Sequence, residues 1–139
     1  MSTKLRSNRV IAFDGNPDHW EGWFEKFLAR GKRKGYKDLL TGRVRIPTAR
    51  EYELALLGTS DEDRETVRIA QLNEEAYEDL VLSIDHTTPH GKIAARLVKN
   101  CKSASHPEGN AKLAKDRLES KYASKNSTFA DEIEEEFCK

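Results

Sequence analysis

Asn16-Pro17-Asp18-His19-Trp20-Glu21-Gly22-Trp23-Phe24-Glu25-Lys26-Phe27-Leu28 is the stretch on which the fold turns. Its apolar residues, Trp20, Trp23, Phe24, Phe27 and Leu28, recur at i, i+3, i+4, i+7 and i+8, which is one stripe of an amphipathic helix. Asn16 is a good N-cap, and Pro17 fits the first helical position, where a missing N–H costs nothing. Gly31 and Gly35 bracket Lys32-Arg33-Lys34 and end the pattern. Four aromatic rings on one stripe make a core seam; their helical spacing weighs against an open stacking platform for bases.

Reading outward from this helix, the signals stay helical. Tyr36 to Leu40 reads as a short helical turn, and Gly42 through Pro47 as an extended connector. Thr48 with Glu51 forms a capping box for a helix whose inward face is Tyr52, Ala55 and Leu56, stopped at Gly58. Ser60 with Asp63 opens a long helix to about Ile84, with acidic Asp61, Glu62 and Asp63 at its positive end. Val67, Ala70, Tyr77, Leu80, Val81 and Ile84 supply its apolar side, Ile69 and Leu72 widen it, and Asn73 marks the place for a kink. Glu74, Glu75, Glu78 and Asp79 fall on its wet side. Thr88-Pro89 begins a helix with Ile93, Ala94, Leu97, Val98 and Cys101 as its stripe. Asn110 caps another, faced by Leu113, Ala114, Leu118 and Tyr122. Phe129, Ile133 and Phe137 mark a last, acidic helix. No segment alternates with period two, so the expectation is an all-α, compact bundle of about five to seven helices. It divides into a basic arm (1–12), a helical lobe (13–126) and an acidic helix (127–139) that reads as the start of a second lobe.

The 139 residues are 35% charged and 37% hydrophobic, with a mean hydropathy of −0.79. That leaves enough apolar material for one core and no run approaching the roughly 20 residues that span a bilayer. No membrane partner is expected, and the absence of a signal-peptide pattern suggests the cytoplasm. Cys101 and Cys138 lack any CxxC spacing and read as reduced thiols. The net charge is zero but blocked: residues 1–50 carry 12 basic and 5 acidic side chains, and residues 51–85 carry 2 and 11. Residues 86–126 then carry 9 and 3, and 127–139 carry 1 and 5. Blocks of opposite sign suit either solvated helix faces or repeated contacts between copies.

Chemistry is not legible. The carboxylates cluster on one helix face instead of facing each other across a cleft in contrasting environments. His19, His86, His90 and His106 are scattered over caps and turns. No serine lies in an elbow motif and no glycine-rich loop has phosphate-cradling spacing. The expectation is therefore no enzyme, no cofactor and no metal site. The one charged patch worth following is Arg30, Lys32, Arg33, Lys34 and Lys37. It complements a helix C-terminus or contacts nucleic acid or an acidic partner. The arm residues Lys4, Arg6 and Arg9 are similarly ambiguous.

Three phrases, in order, resemble the N-terminal capsid region of Gag from copia-type LTR retrotransposons. They are Phe13-Asp14-Gly15 with Trp20 following; Asn73-Glu74-Glu75-Ala76-Tyr77 with Leu80-Val81-Leu82-Ser83-Ile84; and Ala114-Lys115-Asp116-Arg117-Leu118 with Tyr122. Lys115 stands where that family usually has tryptophan, which points to a divergent lineage or a domesticated copy. The resemblance spans roughly residues 10–137. It implies a structural capsid lobe that self-assembles into a virus-like shell enclosing element RNA. It further implies that RNA contact falls mainly to regions outside this chain, such as a zinc knuckle that two cysteines cannot supply. The alternative is a domesticated helical adaptor that binds a peptide or protein partner.

Overall fold

The computed structural model describes residues 12–123, and the expectations for the arm before Ala12 and for the acidic helix 127–139 lie outside them. Among the described residues six helices follow one another. They are α1 (Pro17–Lys34), α2 (Lys37–Leu40), α3 (Ala49–Leu57), α4 (Asp61–Leu82), α5 (Pro89–Lys99) and α6 (111–123). The fold is the expected all-α bundle. Helix α4 is its spine, with α2, α3 and α5 packed against it and α1 against α2.

Every helix but the four-residue α2 begins where a side chain accepts from its free N–H groups. Asn16 accepts from the Asp18 N–H at 2.9 Å, ahead of Pro17. Thr48 and Glu51 exchange two bonds of 3.0 and 3.2 Å, and Ser60 and Asp63 do the same at 3.2 and 3.0 Å. Thr88 accepts from Gly91, and Asn110 from Leu113, each at 2.9 Å. Such side-chain caps contribute about 1 kcal/mol apiece. Helix α1 continues through Gly31 to Lys34 and stops at Gly35.

The core is built around the aromatic stripe. Phe13, Trp20, Trp23, Phe27, Tyr36 and Tyr122 are all buried together. Phe13 meets Tyr122 edge-on at 4.8 Å and Trp20 at 5.6 Å, while Trp23 stacks on Phe27 at 5.2 Å. Ring pairs of this kind stabilise by about 0.5–1.5 kcal/mol beyond their buried area. Phe13 also holds the backbone. Its N–H donates to the Ser83 carbonyl at 2.7 Å, and its carbonyl accepts from the Asp85 N–H at 2.8 Å. This makes an isolated parallel bridge with Ile84. Gly15 follows at φ +83°, and a Cβ there would lie 2.3 Å from the His90 carbonyl oxygen. The Phe-Asp-Gly phrase thus joins the chain entrance to both the end of α4 and the start of α5.

Several inward faces differ from the sequence expectation. Asp79 is not on the wet side of α4 but buried, 7% exposed. It lies one turn from buried Ala76 and beside buried Leu80, and only its residue type suggested water. Leu56, Ile93 and Leu113 are exposed. In α5 the inward set is Gly91, Ala94, Ala95 and Val98, and in α6 it includes Ala111, Ala114 and Leu118. At the start of α5 the preceding turn leaves no room for a side chain: a Cβ on Gly91 would fall 1.8 Å from the Asp85 carbonyl oxygen. Helix α4 runs unbroken through Asn73 over its 22 residues, about 33 Å at 1.5 Å per residue. Ile84 lies beyond its end, in the bridge to Phe13.

Candidate functional site

The basic segment at the end of α1 is divided by the fold. Lys34 reaches from the outer side across to α4, with Nζ 2.9 Å from Asp79 Oδ2 and 3.4 Å from Glu75. The hydrogen bond to Asp79 raises its pKa above the ordinary lysine value. Arg30 is half-buried and close enough for its charge to act on the Tyr36 hydroxyl. Arg33 is exposed in the last turn of α1. Lys32 and Lys37 line a shallow hollow of about 360 Å³ together with Asp38, Thr41 and Arg43. Arg43 was missed by sequence reasoning. The Arg43 N–H bonds back to the Asp38 carbonyl at 2.9 Å, and the Thr41-Gly42 turn signal was the clue to that reversal.

Tyr36 completes the node beneath Lys34. Its hydroxyl donates to Asp79 Oδ2 at 2.6 Å in the buried layer between α2 and α4. Burial first, and the adjacent carboxylate second, push the Tyr36 pKa far above the usual tyrosine value. Lys34 therefore ties the end of α1 to α4, and Lys32, Arg33, Lys37 and Arg43 make up the rest of the outward basic surface.

A second concavity lies on the other side of α4, between the start of α3, the middle of α4 and the loop 103–109. It measures about 250 Å³. Two cross-links set its walls. The Ala49 N–H donates to the Ser105 carbonyl at 2.8 Å. Asn73, buried at the floor, donates to the Gly109 carbonyl and accepts from the Ala111 N–H, each at 2.9 Å. Both polar ends of the Asn73 amide are thereby satisfied, and they fix the loop and the start of α6 to α4. Pro47, Ala49, Tyr52, Ala70 and Pro107 give the cleft its apolar surface, and Glu53, Glu74 and Glu108 stand on its lining. His106 also lines it; its Nε2 is buried without a hydrogen-bond partner among the described residues.

At the start of α1, His19 Nδ1 lies 2.9 Å from an Asp14 oxygen, and the Asn16 N–H bonds to Asp14 at 3.0 Å. Partial burial opposes the Asp14 charge, but the Asn16 and His19 bonds outweigh it and hold the carboxyl below its ordinary value. This pair organises the entry to α1. Cys101 is a buried free thiol, pushed up by burial, with Sγ 3.3 Å from the Leu97 carbonyl oxygen. Among the described residues no three His, Cys, Asp or Glu side chains converge as a metal site, and no helix is long and apolar enough to cross a membrane.

Comparison with family models, with curated proteins and with solved structures finds no match to this chain. What the structure defines by itself is an all-α bundle with a basic hollow on one side of its spine and an acid-lined cleft on the other.

Proposed function

We propose that this chain is a structural, non-catalytic capsid lobe of a copia-type Gag, or a domesticated copy of one, acting in the cytoplasm. Its copies associate into a shell that encloses element RNA. The observation that carries the reading is the outward apolar edge of α3. Leu54, Leu56 and Leu57 are 57%, 55% and 84% exposed on a helix of nine residues. Leu54 and Leu57 are neighbours one turn apart on its outer side, exposed leucines of this kind mark a contact surface, and a second copy is the occupant that the charge distribution favours. Lys32, Lys37 and Arg43 face outward on one side of the bundle and Glu53, Glu74 and Glu108 on another. Copies can therefore approach with opposite signs facing. Three leucines make a small contact, which suits a lattice of many weak, repeated interfaces. The residues that carry the resemblance support the reading from within: Phe13, Trp20, Tyr77, Leu80, Leu118 and Tyr122 all belong to the one core cluster.

Light scattering on size-fractionated protein, at low and high salt and with RNA added, tests this reading. Negative-stain images of any large fraction complete it. The expected result is concentration-dependent oligomers that weaken as salt screens the facing charges. Leu54→Ser with Leu57→Ser is expected to return the protein to monomer without loss of helix. A wild-type monomer under every condition would overturn the reading.

A further inference from the structure

We infer that the cleft between α3, α4 and the 103–109 loop binds an extended peptide in which an apolar side chain is flanked by lysine or arginine. Size gives the first constraint. At about 250 Å³ the cleft falls below the roughly 300–1,000 Å³ that holds a cofactor or drug-sized molecule. It suits one or two side chains presented by a chain running across it. Chemistry gives the second. Tyr52, Ala70 and Pro107 supply apolar surface, and the Asn73 amide at the floor is already hydrogen-bonded at both ends, so the inserted group is apolar. Charge gives the third. Glu53 comes from α3, Glu74 from α4 and Glu108 from the loop, so each wall contributes a carboxylate, and the lining includes no lysine or arginine. An acidic or phosphate-bearing partner meets repulsion from all three walls, whereas basic flanks pair with them.

Two further features fit a peptide backbone. His106 lines the cleft, its Nε2 is buried with no partner among the described residues, and an imidazole nitrogen can accept from or donate to a main-chain group according to its tautomer. The walls are also held in place before binding, by the Ala49–Ser105 and Asn73–Gly109 hydrogen bonds. Little ordering of the receptor then opposes association. The exposed leucines of α3 are not part of this lining, so the inference does not rest on self-association.

The test uses the full chain and a library of capped nonapeptides. The central residue is Leu, Tyr, Phe, Pro or Ser, and the flanks are all basic, all neutral or all acidic. Binding is read by nitrogen-15 NMR titration and anisotropy, with light scattering run in parallel to keep assembly separate. Peptides with an apolar centre and basic flanks are expected to bind and to shift Tyr52, Ala70, the Asn73 side-chain amide and His106. Reversing Glu53, Glu74 and Glu108 to lysine is expected to weaken that binding by about tenfold or more and to invert the flank preference. These carboxylates sit at the cleft surface, and thermal melting verifies that the triple variant folds. Ala70→Trp, which fills the floor without altering charge, is expected to abolish binding as well. Equal binding of acidic-flanked or serine-centred peptides would overturn the inference. So would a footprint elsewhere on the bundle, or no binding by any library member at millimolar concentration.

Discussion

The Tyr36 hydroxyl donates to Asp79 across 2.6 Å, and this short bond joins the segment after α1 to the spine helix α4 in a buried layer. Lys34 approaches the same oxygen of Asp79 from the outer side at 2.9 Å. A carboxylate in this position is tolerated because a hydroxyl and an ammonium both donate to it. The two ends of the Tyr36 bond are not equivalent, however. Tyr36→Phe removes a donor while Asp79 keeps Lys34 as a partner, and is expected to cost about 1 kcal/mol. Asp79→Ala leaves the Tyr36 hydroxyl buried without an acceptor and opens a cavity, a loss on the order of 2–3 kcal/mol. Urea unfolding of the two variants measures the order, and an equal or reversed ranking would show that the bond is not what holds these elements together.

The same layer fixes the alkaline behaviour. Tyr36, Tyr77 and Tyr122 all have their pKa raised, chiefly by burial, and that of Lys34 is raised by its bond to Asp79. For each, the folded state holds its proton more tightly than the unfolded chain does. Their stabilising contribution is therefore complete below the ordinary values of 10.0 for tyrosine and 10.5 for lysine. It is lost progressively as pH rises above them toward the folded values. Stability is expected to fall above about pH 10, with tyrosinate absorbance from these rings appearing together with loss of helical signal. Tyr36→Phe should flatten the fall. Tyrosinate signal from all the rings in fully helical protein would contradict the assignment.

Asn73 is a case where charge alone separates two nearly isosteric residues. Its Oδ1 accepts from Ala111 and its Nδ2 donates to Gly109. Asn73→Asp retains the first bond but sets a carboxylate oxygen against the Gly109 carbonyl. The expected cost is on the order of 2–3 kcal/mol for a buried repulsive pair with one lost donor. Gly109→Ala is expected to damage the same corner by another route. Gly109 has φ +103°, and a Cβ there would lie 2.5 Å from the Tyr77 ring, whose hydroxyl is fixed to the Val98 carbonyl at 2.6 Å. Hydrogen exchange at Ala111 and the first turn of α6 should accelerate in both variants, while α1 amides move less.

The starts of α1, α3, α4 and α5 and the aromatic seam were all legible in the sequence, because caps and helical stripes act over a few residues. What was not legible depends on partners far along the chain. Asp79 reads as solvated until Tyr36, 43 residues away, is seen beside it. In α5 the stripe was read correctly at Ala94, Val98 and Cys101 but was carried onto large Ile93, which is exposed, while Gly91 and Ala95, too small to weigh as apolar, face in. The basic patch was legible as a cluster, but the pairing of Lys34 with Asp79 and the contribution of Arg43 were not. The acid-lined cleft had no linear signature, since Glu53, Glu74 and Glu108 come from three separate segments.

Lys115 offers the sharpest contrast between burial and importance. It is 8% exposed, a level at which an unpaired ammonium would be costly. Its Nζ lies 2.6 Å from Asp116 and 3.4 Å from Glu119, whose side chains are 39% and 46% exposed. The ammonium therefore ends at the rim with hydrated partners, and the buried part is its methylene stem. Removing such a charge leaves no buried counter-charge behind, unlike the breaking of a fully enclosed pair. Asp116 also retains Lys112 at 2.6 Å. Lys115→Met, which preserves the stem, is expected to change stability by less than about 1 kcal/mol in either direction. Lys115→Ala, which removes the stem and leaves a space in the wall of α6, is expected to cost roughly 1–2 kcal/mol. Thermal melts of both variants decide between packing and charge: a Met variant as damaged as the Ala variant would assign the residue's contribution to its ion pairs.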